Sequence, residues 1–265
     1  MDIEILANIR CYLIDMDGTF YLGEKLLPGA LEFIDLLRSR GVTFYFLTNN
    51  SSQHRSGYAK KLRQLGLEIE DDQVITSGEA TALHVIQEWP GAEVYLVGTT
   101  ALEEEFDRHG IRIVDDAPQV AVLGFDTTLT YSKLWRLCNF VREGVPYVAT
   151  HPDVNCPTED GFMPDIGAMI AFVQASTGRV PDVIVGKPHR PIVEVLSLKT
   201  GLEVHQMCMV GDYLKTDIAM GSHGITTVLV LSGETTEDDL SSSPNQPDLV
   251  VEDLGELTRI LGNIS

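Results

Sequence analysis

Basic residues are scarce in this sequence: 19 Lys and Arg stand against 39 Asp and Glu, a formal net charge of −20 over 265 residues. Nucleic-acid backbones are bound by clustered Lys and Arg, so the deficit argues against a nucleic-acid partner and against an anionic membrane surface. Any phosphate ligand has to be held locally, by a metal or by a few placed donors. Long apolar runs are also missing, and none reaches the length of a bilayer span. Cysteine is sparse. Cys11, Cys138, Cys156 and Cys208 form no C-x-x-C pair, which leaves a zinc knuckle without support and implies no disulfide framework. Cys11, Cys138 and Cys208 sit in apolar runs and read as small core hydrophobes, whereas Cys156 falls in a polar loop. The start, Met1-Asp2-Ile3-Glu4, lacks the basic and apolar stretches of a signal peptide. These absences predict a reducing, cytoplasmic compartment, with most of the acids serving solubility.

What is present is ample apolar material, 44% of residues, arranged with two periods. Short β-branched runs at 11–14, 43–47, 183–185, 207–210, 226–231 and 249–251 predict strands. Amphipathic stretches at 29–39, 52–65, 191–200, 216–220 and 254–261 predict helices between them. Strands alternating with helices predict an α/β fold with a doubly wound parallel sheet. The middle carries its own set, with strands at 94–97, 119–125 and 147–149 and helices at 102–109, 131–141 and 166–176. The expected organisation is a discontinuous core, 1–80 and 181–265, with a smaller α/β domain inserted at 81–180. Ser241-Ser242-Ser243-Pro244 predicts a flexible surface loop.

Four segments carry chemistry. The first strand ends in Leu13-Ile14-Asp15-Met16-Asp17-Gly18-Thr19. Residues two apart in extended chain point to one side, and Gly18 permits a sharp turn. Two carboxylates ~4 Å apart repel by ~4 kcal/mol at an effective dielectric near ~20, which a divalent cation or a shared proton can offset. Met209-Val210-Gly211-Asp212-Tyr213-Leu214-Lys215-Thr216-Asp217 repeats the pattern of an apolar strand, a Gly turn and an acid. If the two strands are neighbours, Asp15, Asp17 and Asp212 converge as hard oxygen ligands. Asp217 buttresses that site or serves as a first-turn helix acid. Phe46-Leu47-Thr48-Asn49-Asn50-Ser51-Ser52 also joins a strand to a helix. Thr48 and Asn49 there suit an anion, and Ser51 or Ser52 suits the helix cap. Val185-Gly186-Lys187-Pro188 places one cation just past a strand.

In this order (D-x-D-G-T, hydrophobic-T-N-N, G-K-P, G-D-x-x-x-T-D) the segments resemble the haloacid-dehalogenase-like (HAD) superfamily. The insertion between the second and third resembles the subfamily with a large α/β cap, which includes p-nitrophenyl-phosphatase-like and N-acetylglucosamine-operon phosphatases. Thr76-Ser77-Gly78-Glu79-Ala80 and Ala149-Thr150-His151-Pro152-Asp153 extend the resemblance across nearly the whole chain. It implies a Rossmann-like core, Mg²⁺ as cofactor and a small phosphorylated metabolite as partner, in a monomer or a cap-mediated homodimer. It implies Asp15 as nucleophile and metal ligand, and Asp17 as general acid/base that lends its backbone carbonyl to the metal. Asp212 is the implied side-chain ligand, and Thr48, Asn49, Asn50 and Lys187 the phosphate-binding set.

The resemblance also places His151, Asp153 and Asp165 nearest the substrate, in the cap. The subfamily usually has Asn where this chain has His151, and Gly where it has Asp165. An added negative side chain there would disfavour carboxylate-bearing leaving groups, so neutral polyol, sugar or nucleoside phosphates are the expected substrates. Competing functions are a phosphotransferase or phosphomutase on the same scaffold, and a receiver-like protein that holds phosphate. The insertion and the second acid, Asp17, argue against the receiver.

Overall fold

The short β-branched runs become strands and the amphipathic stretches become helices in a computed structural model that describes residues 3–158 and 161–263. The chain starts with β1 (Cys11–Ile14), a hairpin of β2 (Tyr21–Leu22) and β3 (Lys25–Leu26), α1 (Ala30–Ser39) and β4 (Thr43–Thr48). It continues through α2 (Arg55–Gln64), β5 (Val74–Thr76), α3 (Ser77–Glu88), β6 (Val94–Val97), α4 (Thr100–Arg108) and β7 (Val120–Leu123). Next come α5 (Tyr131–Glu143), β8 (Tyr147–Ala149), the antiparallel pair β9 (Asn155–Thr158) and β10 (Gly161–Pro164), and α6 (Ile166–Thr177). The last stretch runs β11 (Val183–Ile184), α7 (Arg190–Thr200), β12 (Met207–Gly211), β13 (Thr226–Val230), α8 (Glu237–Ser242), β14 (Leu249–Val251) and α9 (Leu254–Gly262). These elements gather into two units. One is Met1–Thr48, Ser56–Ile75 and Leu196–Ser265; the other is Asn49–Arg55 and Thr76–Val195.

The first unit holds a six-stranded sheet in the order β14-β13-β12-β1-β4-β5. Its central pairings are parallel, with Ile14 opposite both Val210 and Phe46. Both faces of the sheet are covered, which is why its strands read as unbroken apolar runs. Tyr12, Ile14, Phe44, Phe46, Val228 and Val230 alternate onto one face, against Phe33, Ile34 and Leu37 of α1 and Leu254, Leu257 and Leu261 of α9. The opposite face of β13 sends Leu229 against Leu214 and Ile218. After β1 the chain builds outward through β4 and β5, and later fills the other side with β12, β13 and β14. The strand order therefore reverses between β1 and β12, the place where α/β sheets bind ligands.

The second unit has its own four-stranded parallel sheet, β11-β8-β7-β6. Its core packs Tyr95, Val97, Leu123 and Tyr147 against Leu137, Cys138 and Val141 of α5 and Val173 of α6. Thr130 caps α5 by accepting Lys133 N–H, and Gly144 ends it in the left-handed conformation, so both boundaries are written in the sequence.

Several sequence expectations change. The helix expected from Ser52 begins at Arg55, so neither Ser51 nor Ser52 caps it. The Asn50 side chain instead accepts from Ser52 N at 2.9 Å and turns the chain first. Ser241 and Ser242, expected in a loop, close the last turn of α8. A capping box between Thr236 and Asp239, with three acids in the first turn, starts that helix. The helix expected at 216–220 is a 3₁₀ segment, Ile218–His223, ended by Gly224. No strand is expected from the sequence at β5. Cys11, Cys138 and Cys208 are buried, as expected, and Cys156 lies in β9. Among the described residues no helix is long and apolar enough to cross a membrane.

Candidate active site

In the first unit, Asp15 and Asp212 leave the carboxyl ends of the neighbouring strands β1 and β12, at the point of strand-order reversal. The ladder continues to Asp15, whose N–H donates to Val210 O at 2.9 Å. Asp217 joins them from the turn after β12. One carboxylate oxygen from each of the three lies within 4.8 Å of the others. Asp212 and Asp217 are buried, 3% and 1% exposed.

Each acid is held in place. Asp212 Oδ2 accepts Glu234 N–H at 2.7 Å, and Oδ1 accepts from Thr19 Oγ1 at 3.3 Å. Asp217 Oδ2 accepts Tyr213 N–H at 3.1 Å. Gly18 is required twice over: its φ is +85°, and a Cβ there would collide with the Asp212 carboxylate. Gly233 passes just as close to Asp212. Three carboxylate oxygens within 4.8 Å of one another fit a hard divalent cation and not a thiophilic one.

Asp17 stands apart from that triplet. It is solvent-exposed on one side, and Tyr21 OH donates to its Oδ2 at 3.3 Å. Lys61 Nζ lies 3.7 Å from the centroid of the Tyr21 ring, within cation–π range. Desolvation by the surrounding protein raises the Asp17 pKa, against smaller lowering effects from Lys61 and the Tyr21 bond. A carboxyl that keeps its proton to higher pH is suited to donating it. Thr48, buried at the end of β4, is the last residue of the first segment of this unit.

The second unit assembles the other expected residues. Asn49 is the hub. Its Oδ1 accepts Lys187 N–H at 2.8 Å, and its Nδ2 donates to both Lys187 O and Asp153 Oδ2 at 3.0 Å. Lys187 is thus fixed by its main chain, and its side chain is buried although it is a lysine. The Lys187–Pro188 peptide is cis. Asp153 is raised in pKa chiefly by burial and further by Asp165, while His151, the Asn49 bond and Lys187 pull it back. Ser77 Oγ donates to the Asn49 carbonyl. Asp165 is buried, accepting Ile166 N–H at 2.6 Å and facing His151 Nε2 at 3.1 Å. The acid at this position thus caps α6 and meets an imidazole.

Sequence reasoning missed Thr19, Tyr21, Lys61, Ser77 and the Ser232–Glu234 loop. Thr76 accepts Glu79 N–H at 3.1 Å, so the T-x-x-E signal could have revealed α3 and with it Ser77. Nothing in the spacing of Lys61 or Ser232 announces a role.

Acids at the ends of adjacent parallel strands on either side of the sheet's reversal point, on a chain with an inserted α/β unit, describe the haloacid dehalogenase-like hydrolases. The chain belongs to that family: its haloacid dehalogenase-like hydrolase model matches residues 12–112, and a HAD-hydrolase-like model matches 184–257. Among individual proteins, the chain is 37% identical over 254 residues to an acid sugar phosphatase of Staphylococcus aureus, covering 95% of this chain and 97% of that one. It superposes on a 4-nitrophenylphosphatase from Thermotoga maritima with a TM-score of 0.93 and 46% identity, over 96% and 98% of the two chains. A glycerol phosphate phosphatase from Mycobacterium tuberculosis, solved in complex with magnesium, gives a TM-score of 0.88 at 32% identity, over 96% and 77%. The chain falls in the phosphatase branch of the family.

Proposed function

We propose that this enzyme is a Mg²⁺-dependent phosphatase that cleaves a small phosphorylated metabolite through a phospho-aspartate on Asp15. The observation that carries the proposal is the carboxylate triplet Asp15, Asp212 and Asp217 at the reversal point of the sheet, with Asp17 two residues beyond the first. Asp15 attacks phosphorus and the bond to the ester oxygen breaks. Asp17 gives its proton to that oxygen, then takes a proton from the water that reopens the aspartyl phosphate. Asp15 and Asp212, with the Asp17 carbonyl and support from Asp217, would hold Mg²⁺. When bound, the ion supplies charge stabilisation to the transferring phosphoryl group. Thr48, Asn49, Asn50 and Lys187 hold the phosphate oxygens.

The inserted domain, expected at 81–180, serves as a cap that reads the leaving group. Sugar, polyol or nucleoside phosphates are the favoured substrates, since the relatives named above act on sugar, nitrophenyl and glycerol phosphates. The enzyme works in the cytoplasm, as a monomer or as a homodimer formed through the cap. Phosphate release from p-nitrophenyl phosphate and from a panel of metabolite phosphates, with Mg²⁺ or EDTA, tests the proposal. Metal-dependent release lost in Asp15→Asn is expected; release insensitive to both changes would sink it.

A further inference from the structure

His151 and Asp165 lie fourteen positions apart and yet meet each other. His151 Nε2 is 3.1 Å from Asp165 Oδ1, and the residues are 0% and 4% exposed. The same Asp165 oxygen opens α6 by accepting Ile166 N–H. On the far side of the ring, His151 Nδ1 lies 3.1 Å from Thr150 Oγ1 and 3.4 Å from Ser77 Oγ. Ser77 donates to the Asn49 carbonyl, and Thr150 Oγ1 is 3.0 Å from Ser51 Oγ. The Thr150 carbonyl accepts Gly186 N–H at 2.7 Å, next to Lys187. Two main-chain bonds tie the Pro152–Val154 turn to the start of α6: Gly167 N–H to Asp153 O at 2.7 Å, and Asp165 N–H to Val154 O at 2.9 Å. One imidazole thus joins the start of α6, the end of β8 and the start of α3. Through Ser77 and Thr150 it reaches both segments that carry Asn49 and Lys187.

We propose that His151 and Asp165 form a single positioning unit that fixes Asn49 and Lys187 as a phosphate-binding pair. The proposal rests on the phosphatase reading given above. Its physical basis is the penalty for a buried polar group without its partner. A Gly at 165 alone would strip the acceptor from His151 Nε2. An Asn at 151 alone is too short to span from Asp165 to Ser77, and would leave a buried carboxylate poorly answered. Making both changes removes both conflicts, so the effects should be strongly non-additive, as for residues in direct contact.

The test compares wild type, His151→Asn, Asp165→Gly and the double variant, each with Mg²⁺ and below its melting temperature. The readouts are calorimetric affinity for inorganic phosphate, kcat and KM for p-nitrophenyl phosphate, and melting temperature. Each single variant is expected to weaken phosphate binding and raise KM about tenfold, with a smaller change in kcat, and the double variant to return within about threefold of wild type. Asp165→Asn, which keeps the α6 cap, should fall between wild type and Asp165→Gly, and it substitutes if the glycine variant does not fold. Single variants that melt earlier but keep wild-type phosphate affinity would overturn the positioning role, and a double variant equal to the product of the singles would overturn the pairing. Wild type that binds phosphate but hydrolyses no ester would defeat the phosphatase reading alone, since the affinity cycle still decides the coupling. Wild type that binds no phosphate would overturn both.

Discussion

Among the described residues each unit contains one tight acidic cluster, and the two differ in composition. In the first unit Asp15, Asp212 and Asp217 bring three carboxylates together at the ends of parallel strands. In the second, Glu79, Glu105 and His109 come equally close, but with cations built in. Arg55 Nη1 lies 2.9 Å from Glu79, and Arg108 Nη1 lies 3.0 Å from Glu105, which also faces His54 at 3.4 Å. The Glu105 pKa is lowered in spite of its burial, because His109, Arg108, His54 and Arg55 together outweigh desolvation. In the second unit the chain itself provides compensating charge beside the acids.

The comparison breaks most visibly at Asp15. Asp15→Asn should lower phosphate release by roughly 10⁴-fold or more in steady-state assays, since it removes the proposed nucleophile. Next, Mg²⁺ should raise the melting temperature by a few degrees, about 2.7 kcal/mol of stabilisation at a hundredfold excess over Kd. That shift should vanish in Asp212→Asn and survive in Glu79→Gln; a shift lost in Glu79→Gln would show that the second cluster also takes a metal. Glu79→Gln should itself cost about 2–3 kcal/mol in denaturant unfolding, somewhat under the range for fully buried pairs because Arg55 is partly exposed.

Smaller effects are expected around Asp17. Its raised pKa means that the proton needed by a poor leaving group is lost only as pH rises through that value, so kcat/KM for a sugar phosphate should fall on that alkaline limb. The Tyr21 bond lowers the Asp17 pKa, so Tyr21→Phe should move the limb to higher pH, by less than about one unit. A limb moving to lower pH would contradict the assignment.

Asp15 and Asp212 were legible because each follows an apolar run that reads as a buried strand, with a glycine nearby marking the turn. Asp15, Asp212 and Thr48 needed no knowledge of distant contacts beyond strand adjacency. Three-residue β5 was not legible, since Val74-Ile75-Thr76 is too short to show a period. The Asn49 hub was only half visible. Its position after a strand was plain, but its partners Asp153 and Lys187 are more than a hundred residues away and no local pattern announces them. The meeting of Asp165 with His151, fourteen residues away, is likewise announced by no local pattern.

The short segment Asn49–Arg55 belongs to the second unit although both its sequence flanks belong to the first. Ser51 bonds to Thr150 and to Phe125 N–H, Thr99 donates to Ser52 O at 2.9 Å, and Arg55 pairs with Glu79. Recombination between relatives is constrained accordingly. A chimera that exchanges residues 76–195 as one block would import Thr150, Thr99 and Glu79 without the seven residues they grip. Exchanging 49–55 along with that block keeps donors and acceptors from a common parent, so the heritable module is two pieces of sequence and not one.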